Sequence, residues 1–175
     1  ASACPPIVGL SIPARPNCEE FNDRVIALLV QRKPETVVLG AVWTGAPTQL
    51  VALDRTIAML TGAGIKVVVL GPAPIFKQPV PTILARRMQS GDPTMAAGPD
   101  METVVFDRDR AVRLHLAGRE DVRFISIVDA VCRERQCPLV YAGVPLHFDI
   151  AHVTREGSKY YGNIIAVRIL GGDIK

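Results

Sequence analysis

Two short apolar runs constrain this chain more than any other feature. Thr36-Val-Val-Leu-Gly40 and Ile65-Lys-Val-Val-Val-Leu-Gly71 are rich in β-branched residues and end in glycine. Runs of that length and character are strands, and near-continuous apolar strands are covered on both faces. Between them, Pro47 to Leu60 fits a helix closed by Thr61-Gly-Ala-Gly64. A strand, a crossover helix and a second strand imply parallel pairing.

The rest of the chain extends this alternation. Pro6 to Leu10 reads as a strand. Phe21, Val25, Leu28 and Leu29 fall at helical spacing, with Glu19, Glu20 and Asp23 near the helix start, where the dipole favours acids, and Pro34 stops the helix. A proline-rich stretch from Pro72 to Pro81 precedes a short helix around Thr82 to Met88. Gly91 to Pro99 reads as loop, and Asp100 to Leu116 as a helix capped by Asp100. Val122 to Ile127 is a strand, Asp129 to Arg135 a short helix or turn, and Pro138 to Tyr141 a brief strand. Thr154 caps a final helix running to about Leu170. The expected architecture is α/β: a three-layer αβα sandwich around a parallel sheet, in one domain over residues 1–175. Ligands in such folds sit beyond the carboxyl ends of the strands, after Leu10, Gly40, Gly71 and Tyr141.

Composition narrows the function classes. A 49% hydrophobic content over 175 residues excludes disorder and supplies a core. No apolar run approaches the ~18 residues of a membrane span. Lys and Arg number 20 against 17 Asp and Glu, spread along the chain, and aromatics are only 5%, so no nucleic-acid footprint is present. Ala1 opens without a basic segment and a following apolar stretch, so no signal peptide is read. The four cysteines, Cys4, Cys18, Cys132 and Cys137, form two compact pairings that suggest disulfides and an oxidising compartment. A zinc site and free buried thiols are the alternatives; Cys4 and Cys18 lack the tight knuckle spacing of structural zinc.

The stretch with chemical content is Leu146-His-Phe-Asp-Ile-Ala-His-Val-Thr-Arg-Glu-Gly157. Asp149 and His152 stand three apart in a loop before the last helix. A tight loop presents both on one side, so the carboxylate holds one imidazole nitrogen while the other faces a nucleophile. The spacing by itself equally describes a histidine in a polar surface loop.

Several blocks together resemble the SGNH (GDSL-type) hydrolase family, and within it the extracytoplasmic SGNH domain fused to membrane acyltransferases of the acyltransferase-three family. They are Ser2-Ala-Cys-Pro-Pro6 with Cys18 and Phe21-Asn22, Val37-Val-Leu-Gly-Ala-Val-Trp43, Gly64 to Pro74, the Cys132–Cys137 pair, and Asp149-x-x-His152-Val-Thr-x-x-Gly157. The resemblance implies a flavodoxin-like topology and a Ser-His-Asp triad in which His152 is the base and Asp149 its orienting carboxylate. The family's serine sits in a Gly-Asp-Ser block after the first strand. None occurs here: Gly91-Asp92 is followed by Pro93, and Ser2 and Ser11 lack the setting. The first strand and its serine are therefore expected upstream of Ala1.

The family's oxyanion Asn is also replaced. Gly40-Ala-Val-Trp43 occupies that place, with Val42 where Asn would stand. Losing one such donor costs ~100-fold or more in rate. Gly9 and Gly40 are candidate oxyanion or substrate positions, and Trp43 either stacks on a sugar or anchors the core. His147 reads as a surface or packing residue and His115 as solvated, while Arg86 and Arg87 either contact an anionic glycan or form a solvated face. The function implied is O-acetylation of a bacterial cell-surface polysaccharide through an acyl-enzyme, on the periplasmic or extracellular face of the membrane. No metal or cofactor is expected, and the acyl donor arrives through a membrane domain of the same polypeptide. The alternatives are a secreted carbohydrate esterase and a degenerate domain that binds a glycan or partner.

Overall fold

A computed structural model describes residues 4–92 and 95–171. Ser2 lies outside them, as do Pro93 and Thr94 of the expected loop. The elements are α1 (Cys18–Arg32), β1 (Thr36–Gly40), α2 (Pro47–Gly62), β2 (Lys66–Leu70), α3 (Val80–Ser90), α4 (Val104–His115), β3 (Val122–Ile125), α5 (Ile127–Val131), β4 (Val140–Tyr141), β5 (Val144–Pro145) and α6 (Arg155–Ile169). The chain forms two compact units. Ala1–Pro72 with Asp107–Ser126 make the first; Ala73–Phe106 with Ile127–Lys175 make the second.

The first unit holds the parallel sheet, in the order β1-β2-β3. Thr36 to Gly40 pair with Lys66 to Leu70, and Val67 to Leu70 pair with Val122 to Ile125. The α/β class with parallel strands is therefore as the apolar runs require. Val67, Val68 and Val69 of the central strand are all buried, which is why that run carries no polar alternation. Leu53, Ile57 and Leu60 of α2 lie fully buried in the same core as Leu39 and Val69. Gly71 follows β2 for a steric reason: a Cβ there would collide with the buried Asp109 carboxylate.

The first unit corrects one strand. Pro6 to Leu10 is irregular, although Ile7 and Val8 are buried. Side chains replace a neighbouring strand as its hydrogen-bond partners. Val8 N–H donates to Thr56 Oγ1 at 2.9 Å, and Asn22 Nδ2 donates to the carbonyls of Pro5 and Ile7 at 2.7 and 3.2 Å. The Val8 N–H and the Ile7 carbonyl are thus bonded without a ladder. His115 is also not simply solvated, since its Nε2 lies 3.0 Å from both Asp54 carboxylate oxygens.

The second unit departs further from its reading. α3 begins two residues early, at Val80, and continues to Ser90. The helix expected from Asp100 begins at Val104. Asp100 does not cap it, because Arg87 Nη2 and Arg86 Nη2 donate to its carboxylate at 2.7 and 3.2 Å. The neighbouring Met101 bridges Phe76, and Glu102 N–H donates to the Ile75 carbonyl at 2.9 Å. Arg87 is buried and also donates to the Ala96 carbonyl at 2.8 Å, so it is not part of a solvated face, whereas Arg86 is exposed. α5 ends at Val131, because Glu134 and Arg135 take positive φ in the turn that Cys132 and Cys137 close. Pro138 to Tyr141 is no member of the parallel sheet. Val140 and Tyr141 pair antiparallel with Pro145 and Val144 around Ala142 and Gly143, both at positive φ, which is hairpin chemistry. Tyr141 is thus a hairpin residue, not the carboxyl end of a sheet strand.

Candidate active site

The Asp149–His152 loop belongs to the second unit and is built from its roots upward. Leu146 and His147 are fully buried. Leu146 N–H donates to the Leu139 carbonyl, and Thr154 N–H donates to the Leu146 carbonyl, both at 2.9 Å. His147 bridges Val153 antiparallel, and Phe148 N–H donates to the His152 carbonyl at 3.0 Å. These bonds close residues 148–152 into a short hairpin-like loop. Its flank is fixed by Phe76 N–H, which donates to the Ile150 carbonyl at 2.9 Å.

Thr154 explains the residues that follow. Its hydroxyl accepts the Gly157 N–H at 3.0 Å as the cap of α6 and donates to the Pro145 carbonyl at 2.8 Å. The loop and the helix start are joined through one side chain. Gly157 is required because a Cβ there would collide with the Leu146 carbonyl oxygen.

Within the loop, Asp149 Oδ1 accepts the N–H groups of Ala151 and His152 at 2.8 and 2.7 Å. Oδ2 lies 2.7 Å from His152 Nδ1. The two backbone N–H groups, and then the imidazole, pull the Asp149 carboxyl down to about 2. Asp149 is ionised at neutral pH and only accepts, so Nδ1 is the protonated nitrogen and the neutral ring presents Nε2 as its lone pair. The His152 side chain is 75% exposed, which leaves that lone pair accessible. The arrangement is an oriented imidazole whose cation would lie against a carboxylate, the chemistry that a general base requires.

The other candidates fall in the first unit. Trp43 is fully buried, and its Nε1–H donates to the Leu70 carbonyl at 2.6 Å. It anchors the core, the second of its two readings, which removes it from the substrate candidates. Gly9 has φ +67°, and its N–H donates to Asp23 Oδ1 at 2.9 Å, so that donor is already engaged. Gly40 ends β1 opposite Leu70, and Val42 is 62% exposed. The disulfides Cys4–Cys18 and Cys132–Cys137 both form, one in each unit, as the pairing by spacing suggested.

Sequence reading did not single out Phe148 beside the dyad, and of the two readings of His147, surface or packing, the structure shows packing. Phe148, 59% exposed, stacks on His152 with ring centroids 5.7 Å apart and planes 16° apart. His147, buried between Phe76 and Tyr161 with centroids at 4.9 and 5.5 Å, has its pKa pushed down to about 4 by that burial. Burial likewise raises the Tyr161 phenol. The antiparallel closure of the loop is the signal that separates the two. His147, at its root, faces inward, and Phe148, one residue on, faces out.

Comparison with known proteins decides the family. The family model described as SGNH domain (fused to AT3 domains) matches residues 1–167. The chain belongs to this family. The fold also matches the structure of a Salmonella ser. Paratyphi A lipopolysaccharide acetyltransferase periplasmic domain. That match has a TM-score of 0.79 and 20% sequence identity, over 95% of this chain and 69% of that one. No protein with a curated description matches in sequence. The SGNH domain's two disulfides fit an oxidising compartment. Among the described residues, no helix is long and apolar enough to cross a membrane.

Proposed function

We propose that this SGNH domain carries the acid–base half of an O-acyltransferase that modifies a bacterial cell-surface polysaccharide outside the cytoplasm. The observation that carries the reading is the Asp149–His152 pair, with Oδ2 2.7 Å from Nδ1 and Nε2 turned to an exposed loop surface. Fusion of the family's members to acyltransferase domains supports transfer, as does likeness to a lipopolysaccharide acetyltransferase domain.

In this reading a serine hydroxyl attacks the acyl carbonyl and gives its proton to His152 Nε2. The imidazolium, stabilised by Asp149, returns that proton to the departing donor group. A sugar hydroxyl then attacks the acyl-serine, passes its proton to Nε2, and the serine leaves with it. The serine is expected from a segment preceding Ala1, in a strand that would pair with the outer edge of β1, an edge strand of its sheet. The acyl donor would reach it through a membrane acyltransferase domain of the same polypeptide, with no resident cofactor in the chemistry.

Hydrolysis of p-nitrophenyl acetate by the polypeptide that includes the serine tests the assignment. His152→Ala should lower turnover about 1,000-fold or more. Unchanged turnover would remove His152 from the chemistry. Strong hydrolysis together with no transfer to any glycan would favour a carbohydrate esterase.

A further inference from the structure

The geometry points to Phe148 as a positioning residue for His152, holding the imidazole by its face while Asp149 holds it by its edge. The inference rests on the reading of His152 as the acid–base group.

One hydrogen bond, Nδ1 to Asp149, defines an axis and leaves the ring free to tip about it. A side chain that is 75% exposed has little else to stop that motion. The Phe148 ring lies nearly parallel to the imidazole, 16° between planes and 5.7 Å between centroids, so it narrows the space into which that side of the imidazole can tip. The two residues are also tied through the backbone, Phe148 N–H to His152 carbonyl at 3.0 Å, which fixes the spacing of the stack.

Core packing does not account for Phe148. Its predecessors Leu146 and His147 are fully buried, whereas Phe148 is 59% exposed. Leaving most of a phenyl ring in water forfeits the burial that normally justifies it. What the ring gains is a stacked position beside the imidazole.

NMR of the His152 Nδ1 proton in the polypeptide that includes the serine tests this without requiring turnover. In the native protein the proton bound to Asp149 should give a resolved resonance. Phe148→Tyr and Phe148→Trp should keep it. Phe148→Ala should lose it to exchange with water while the amide signals of Ala151 and His152 stay in place. Phe148→Leu keeps apolar bulk without a flat face and should behave as the alanine variant does. In the polypeptide that includes the serine, Phe148→Ala should lower kcat about two- to fivefold with KM unchanged, and Phe148→Tyr should restore it.

No resolved resonance in the native protein would overturn the proposal, as would a native-like resonance in Phe148→Ala or Phe148→Leu. So would a Phe148→Ala effect confined to KM. Failure of the acyl-transfer reading has a separate signature: turnover that survives His152→Ala, whatever the resonance does.

Discussion

The two units bury their backbones by different means. In the unit of Ala1–Pro72 and Asp107–Ser126, a three-stranded parallel sheet pairs its own polar groups, and apolar side chains from α2 and β2 fill the core. In the unit of Ala73–Phe106 and Ile127–Lys175, the strands are two residues long. Order there comes from side chains reaching the backbone and from turns at positive φ: Arg87 to the Ala96 carbonyl, Thr154 to the Pro145 carbonyl, Asp149 to two N–H groups. Regular pairing makes a rigid scaffold, while specific local bonds make a loop that can aim side chains. The dyad sits in the second kind of structure, where each orienting bond is a separate sequence choice.

The contrast can be broken at defined places. Trp43→Ala removes a fully buried indole and orphans the Leu70 carbonyl. It should cost about 3–5 kcal/mol in urea unfolding, the largest single loss expected. A loss under about 1 kcal/mol would show that the indole is not the anchor described.

Acid should act on the second unit through His147. In the unfolded chain this imidazole titrates near 6.5; in the fold, burial holds it near 4. Between those values the unfolded chain takes up the proton and the folded one does not. Stability should therefore fall as pH drops from about 6.5 to about 4, by on the order of 3 kcal/mol, and then level off. His147→Leu should flatten that window. Asp149 has linkage of the same sign in a lower window: its stabilisation is present above 3.8 and is lost as pH falls toward 2. Asp149→Asn should remove only this lower step. Denaturant midpoints against pH separate the two.

The disulfides rank next. Loop-closure entropy assigns about 3 kcal/mol to Cys4–Cys18, which are 14 apart in sequence, and about 2 kcal/mol to Cys132–Cys137, which are 5 apart. Serine replacement of each pair, followed by thermal unfolding, should reproduce that order. Thr154→Ala is expected to be the mildest, about 1 kcal/mol, through loss of the α6 cap.

This contrast also governs what could be read beforehand. β1, β2 and α2 were legible because burial writes itself as periodicity: Val67, Val68 and Val69 need apolar neighbours on both faces. Pro6 to Leu10 was misread for an instructive reason. Ile7 and Val8 are buried as strand residues would be, but Asn22 and Thr56, distant in sequence, bond the Ile7 carbonyl and the Val8 N–H. In the second unit, Asp100 had the look of a helix cap, and only the fold reveals that two arginines hold it. The Asp149–His152 pair and the Thr154 cap were legible because all their bonds span a few residues. Phe148 was not, because a stacked exposed phenylalanine and a buried one read alike in sequence.

The central claim is that His152, oriented by Asp149, moves the proton in acyl transfer to a surface glycan. Its most direct measurement is the ester content of that polysaccharide after incubation with membranes carrying the intact protein or its His152→Ala variant. The account predicts acylated glycan from the native protein and none above background from the variant, at equal protein levels. Equal acylation from both would contradict it.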